Sequence, residues 1–197
     1  SDDYDSGDKG DVTQAGRTRI ELAGAIDQVA VTRVNDNGFA HGDVIGVYIV
    51  DYEGSNPGTL QNSGNRGDNV RHTYDEANNK WSSAYDLYWK DKKTAIDVYG
   101  YYPWGQPTEV TAYELEVQKD QSTEAADGEL GGYEASDFLW GKATNVAPTE
   151  QVIRLPMKHR MSSAKVVLAE GSGFAEGAWA SLSKQVLVKN VKRNALI

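Results

Sequence analysis

The stretch from Gly42 to Tyr52, GDVIGVYIVDY, constrains this chain's fold more than any other. Its apolar side chains fall on both parities, with Ile45, Val47 and Ile49 on one, and Val44, Tyr48 and Val50 on the other around Gly46. A run apolar on both sides suits a central strand covered on both faces. Asn35-Asp36-Asn37-Gly38 supplies a turn before it, and a Gly/Asn/Ser-rich loop from Glu53 to Asn69 follows. Its length and these flanks favour a strand over a buried helix.

The rest of the chain repeats short β-compatible runs. RTRIEL and QVAVTR, within Arg17 to Arg33, are joined by the small residues Ala23 to Ala25. Asn69 to Tyr74 and Lys80 to Trp89 read as a hairpin across Glu76 to Asn79. In Thr94 to Tyr102, Ile96 and Val98 lie on one face and Asp97 and Tyr99 on the other, the alternation of a strand with one wet face. Thr111 to Gln118 alternates in the same way, and Gln121 to Ser136 reads as a long surface loop. Asp137 to Lys142, Gln151 to Met157, Ser163 to Ala169 and Lys184 to Val191 complete the series. No helical periodicity longer than about two turns intervenes. Strands spaced in this way predict an all-β, antiparallel sandwich.

At 197 residues, a chain buries roughly 70% of its unfolded surface, enough for a core that needs no cross-link. There is no cysteine, which excludes disulfides, thiolate metal sites and cysteine nucleophiles. A net charge of -9 repels phosphate backbones and anionic lipid surfaces, so nucleic acid is not an expected partner. No apolar run approaches the roughly 18 to 20 residues that cross a bilayer as a helix. Residues 1–16 carry Asp2, Asp3, Asp5, Asp8 and Asp11 against a single Lys9 and almost no large apolar group. That composition predicts a disordered acidic tether. An EF-hand reading fails there, because Gly7 stands where a ligand is needed and no glutamate closes the loop.

No motif for catalysis, cofactor or metal appears. His41, His72 and His159 lack the spacing that tetrahedral zinc requires. His41 is expected to shape the turn before the central strand. His159, between Lys158 and Arg160, is expected to cap or pack at a strand start. With 29 acidic residues, carboxylate pairs carry little information about acid and base chemistry, and there is no GxSxG elbow. Tyr99, Tyr101, Tyr102 and Trp104, with Trp81, Tyr85, Tyr88 and Trp89 nearby in sequence, form an aromatic cluster. Such rings either fill a sandwich core and its cross-strand pairs or stack on sugars. Under the second alternative, Tyr101, Tyr102 and Trp104 are the glycan-binding residues.

Four segments in order carry a resemblance. Asn37-Gly38-Phe39 runs into Gly42-Asp43-Val44-Ile45-Gly46-Val47-Tyr48; DVYGYYPW spans Asp97 to Trp104, SDFLWG spans Ser136 to Gly141, and LPMKHRMSSAKVVL spans Leu155 to Leu168. Together they resemble the fimbrillin (Mfa-like) family, surface lipoproteins and pilus subunits of Bacteroidetes. The acidic start is similar to the tract that follows the lipidated cysteine in exported lipoproteins of these bacteria.

The resemblance implies a transthyretin-like (Greek-key) β-sandwich over residues 17–156. Residues 157–197 then either open a second, incomplete sandwich or complete the first. It implies a non-enzymatic structural subunit at the cell surface, anchored to the outer membrane by a lipid on a cysteine preceding Ser1, with other fimbrial subunits as partners and no cofactor. It further implies processing by an arginine-specific protease, with Arg33 as the cut site and Arg19 as a weaker candidate. Losing the amino-terminal strand would expose two sheet edges and an apolar groove, which an extended segment of a neighbour fills by β-strand addition.

Overall fold

The structure, a computed structural model, describes residues 17–26, 38–112, 114–116, 129–132 and 136–159, together with 169, 172, 175, 177–181, 183 and 194–196. Among the described residues, nine strands follow in chain order: β1 (Leu22–Ile26), β2 (Val44–Asp51), β3 (Gly67–Asp75), β4 (Lys80–Ser83), β5 (Ile96–Tyr102), β6 (Glu114–Glu116), β7 (Leu139–Val146), β8 (Ile153–His159) and β9 (Asn194–Leu196). One helical turn, α1, covers Ala178–Ser181. The all-β expectation therefore holds.

The strand β2 occupies the middle of the sheet, between β3 and β5, and its six residues from Ile45 to Val50 are all buried. That is the two-sided burial its apolar parities predict. Ile45, Val47 and Ile49 face the interior with Val70, Val98, Leu139, Leu155 and Met157. Each such side chain contributes roughly 1.5–3 kcal/mol relative to exposure. On the outer face, the Tyr101 ring lies directly over Gly46, where any side chain would collide with it. The Tyr101 hydroxyl donates to Asn69 Oδ1 at 2.6 Å, holding the ring in place. Gly46 thus interrupts the apolar run because a neighbouring ring takes its space.

Seven strands close into one barrel in the order β1-β4-β3-β2-β5-β7-β8, and β6 pairs with β9 as a separate two-stranded sheet. Here the expected arrangement of two antiparallel sheets face to face is corrected. Leu22 and Ala23 of β1 pair with Trp81 and Lys80 of β4 on one side and with Ile153 and Arg154 of β8 on the other. The margins that would bound a sandwich are thereby joined by one strand. The β1–β8 pairing is parallel, whereas the remaining pairings around the ring are antiparallel. Side-chain alternation reports which faces are covered, not which edges meet.

Two further expectations change in detail. Ala23 to Ala25, expected as a joint between two strands, lie within β1. Strand β5 has no wet face, since Asp97 is only 4% exposed and Tyr99 is half-buried. Asp97 Oδ1 accepts hydrogen bonds from the Tyr52 hydroxyl and the Asn145 amide, both at 2.8 Å, so this buried oxygen is satisfied beneath the β7 strand and the end of β2.

The β3–β4 hairpin turns across Glu76 to Asn79 as expected, pairing Asp75 with Lys80 and His72 with Ser83. Asn79 adopts a left-handed conformation with φ of 48°. His41 stands exposed in the turn before β2, where the Ala40 amide donates to Asp43 Oδ2 at 2.8 Å. Strand β8 runs from Ile153 to His159 without a break at position 156. The runs QVAVTR and Lys184 to Val191, the run Ser163 to Ala169 except Ala169 itself, and the acidic tract 1–16 lie outside the described residues.

Candidate functional site

The feature on which closure of the ring depends is the seam made by β1. Upstream of the strand, the chain is laid down against the segment after β4: the Ile20 amide donates to the Leu87 carbonyl at 2.7 Å, and the Trp89 amide to the Thr18 carbonyl at 3.0 Å. Arg19 pairs with Asp86 at 2.8 Å on the surface, and the Arg17 guanidinium sits 5.8 Å from the centre of the Tyr88 ring. At the start of β1, the Ile153 amide donates to the Glu21 carbonyl at 2.8 Å. The ladder to β8 then continues through five residues, from Leu22 opposite Ile153 to Ile26 opposite Met157. The ladder to β4 has two pairs, Leu22 with Trp81 and Ala23 with Lys80. The β4 side is therefore the shorter closure of the ring.

Side chains make the seam selective. Ile20 and Leu22 are 4% and 1% exposed and belong to the core. Gly24, the next residue of the same parity, lies against the Tyr74 ring: a Cβ added there would stand 2.6 Å from Tyr74 Cε2. The Tyr74 ring is held from three sides. Its hydroxyl donates to Asn79 Oδ1 at 2.7 Å, and its centre lies 5.0 Å from that of Trp81 and 5.8 Å from that of Phe39. Without β1, the margins of β4 and β8 would present unpaired main-chain groups beside apolar surface from Trp81, Tyr74, Ile153 and Leu155. An extended peptide can fill such an opening by strand addition.

Arg33 lies outside the described residues. Tyr101 and Tyr102, named as glycan contacts, are 4% and 2% exposed, because the pleat sends Tyr102 into the barrel against Phe39 and Tyr101 under the loop around Gly105. Neither offers a ring face to a sugar in this structure. Trp104 is half-buried, with the Arg71 guanidinium 4.4 Å from its ring centre and its indole N–H directed at the Asn69 carbonyl, 3.4 Å away. Trp81 and Trp89 are core residues, and Tyr85 is 57% exposed. Packing, rather than display, is the principal use of the cluster.

His72 is buried in β3 with Nδ1 at 3.0 Å from the Val70 carbonyl. Burial holds its pKa down at about 4, only partly opposed by that hydrogen bond. His159 closes β8, with Nδ1 2.8 Å from Asp137 Oδ1, so it packs at a strand end and not at a start. Among the described residues, no group of three His, Cys, Asp or Glu side chains is arranged to hold a metal ion. Reading the sequence as separate runs missed the seam itself. Its one local signal is a glycine at the same parity as Ile20 and Leu22.

A family model described as fimbrillin-like matches residues 32–197. The chain belongs to the fimbrillin-like family. No curated protein matches this fimbrillin-like chain. Among solved structures it is similar to a protein from Bacteroides uniformis ATCC 8492 assigned to cell adhesion, with a TM-score of 0.50 and 17% identity over 76% of this chain and 49% of that one. A fimbrial protein from Bacteroides ovatus ATCC 8483 matches with a TM-score of 0.43 and 21% identity over 74% of this chain and 29% of that one. The first likeness supports the fold. The fimbrillin-like chain spans less than half the length of either protein.

Proposed function

We propose that this chain is a structural, non-enzymatic subunit of a cell-surface fimbria that joins its neighbours by β-strand addition. The carrying observation is the seam: one amino-terminal strand closes the ring, bound to β4 by two residue pairs. Membership of the fimbrillin-like family, whose members are structural proteins, supports the reading. In the precursor, a lipid on a cysteine preceding Ser1 anchors the chain to the outer membrane, with the acidic tract 1–16 between lipid and barrel. An arginine-specific protease cuts after Arg33, just upstream of β2, and frees β1 to leave. A strand from another fimbrial subunit then takes its place between β4 and β8, and residues 157–197, which begin within β8, complete the barrel or lead on toward a second domain.

Strand addition suits this task. Main-chain ladders on two sides give affinity with little dependence on sequence, and alternate side chains entering the core give register. The test is treatment of the purified protein with an arginine-specific protease, followed by electrophoresis without boiling. A ladder of stable oligomers is expected. Cleavage at Arg33 that leaves only monomers would contradict the reading.

A further inference from the structure

We infer that the β1 slot reads its occupant by a short side-chain code, large apolar, any, large apolar, any, glycine, and that Tyr74 is the residue that enforces the glycine. The inference rests on the strand-replacement reading above and names the kind of partner segment the slot accepts.

The present occupant shows what fits. Ile20 and Leu22 enter the core almost completely, while Glu21 and Ala23 between them are half-exposed. Glu21 lies 3.5 Å from Lys80 at the surface, so outward positions meet solvent and partly exposed charges that discriminate little. The third inward position is different. A Cβ at Gly24 would stand 2.6 Å from Tyr74 Cε2 and 3.3 Å from Asn79 Oδ1, so even alanine requires the ring to move.

Moving the ring is costly. Its hydroxyl is bonded to Asn79, a turn residue whose left-handed backbone fixes where that acceptor stands. On its other sides the ring meets Trp81 and Phe39, and the Phe39 ring in turn lies edge-on to Trp81 with centres 4.7 Å apart. The slot thus combines two deep apolar sites with one site closed to any side chain. The closed site also sets register, because a strand shifted by two residues would drive a large side chain into Tyr74. The partner is therefore an extended segment of a neighbouring subunit bearing this pattern.

The test uses the full chain cut at Arg33, with the protease then inactivated, and synthetic peptides of residues 17–26 added in excess. Native mass spectrometry identifies the bound strand by mass, and fluorescence anisotropy of labelled peptide gives its affinity. The unaltered peptide should bind. Gly24→Val should bind about tenfold or more weakly, while Ala23→Val, which places the same side chain on the outward side, should change affinity by no more than about twofold. In a Tyr74→Leu chain, folded by circular dichroism, the Gly24→Val peptide should regain most of the lost affinity.

Equal binding of the unaltered and Gly24→Val peptides would overturn the code and leave strand replacement standing. A deficit that persists in the Tyr74→Leu chain would overturn the role of Tyr74. If the cut chain loses its fold, or binds no peptide and keeps its own fragment, strand replacement fails and the code fails with it.

Discussion

Single residues carry two consequences that their neighbours dictate. His72 is buried neutral, with a pKa near 4 in the fold against 6.5 when unperturbed. Below pH 6.5 the unfolded chain takes up the proton and the folded chain does not. Its stabilising contribution is therefore complete above 6.5 and is lost as pH falls toward 4, by about 3 kcal/mol in all. His72→Leu should flatten this part of the profile relative to the parent, as urea denaturation at pH 7 and pH 5 would reveal. A parent and variant that lose stability equally between those values would contradict the burial argument. Asp97 is the second case. Asp97→Ala leaves the Tyr52 hydroxyl and the Asn145 amide without their acceptor, at a cost of about 2–3 kcal/mol measurable as a lower unfolding midpoint. A midpoint unchanged within error would show that water replaces the carboxylate.

Elements were legible in sequence to the extent that their side-chain pattern is local. The β2 strand was, since two apolar parities between turn signals leave few alternatives, and Ile49→Ala at its fully buried position should cost about 2–5 kcal/mol by the same denaturation measurement. The β3–β4 hairpin was legible from its turn. In β5 the alternation of Ile96 and Val98 with Asp97 and Tyr99 suggested a wet side, and it misled because Asp97 is covered by partners distant in sequence. The β1 strand is hidden in the sequence because Ala23, Gly24 and Ala25 resemble a linker in composition. Their smallness has a tertiary cause at Gly24, where the Tyr74 ring stands in the way, and no window around Gly24 contains that ring. The aromatic cluster was ambiguous for a related reason: composition shows how many rings must be placed, and only the pleat decides which face inward.

For the whole molecule, closure is the property that matters. An all-β architecture followed from the spacing of runs, but the join between the first strand and the last of the ring depends on residues 22–26 meeting residues 153–157, a separation no local pattern encodes. That join leaves the barrel without open margins while β1 is present and creates two of them when it departs. Belonging to the fimbrillin-like family and closing the ring with an amino-terminal strand are independent observations, one from the sequence as a whole and one from hydrogen-bonded register. They are the two observations on which the proposed strand addition rests.

Hydrogen–deuterium exchange of the chain before and after cleavage at Arg33 tests this most directly. Cleavage should strip protection from β1 and from the facing amides of β4 and β8 while β2 stays protected, and adding the peptide of residues 17–26 should restore the lost protection. Unchanged protection across β1, β4 and β8 after complete cleavage would contradict strand addition.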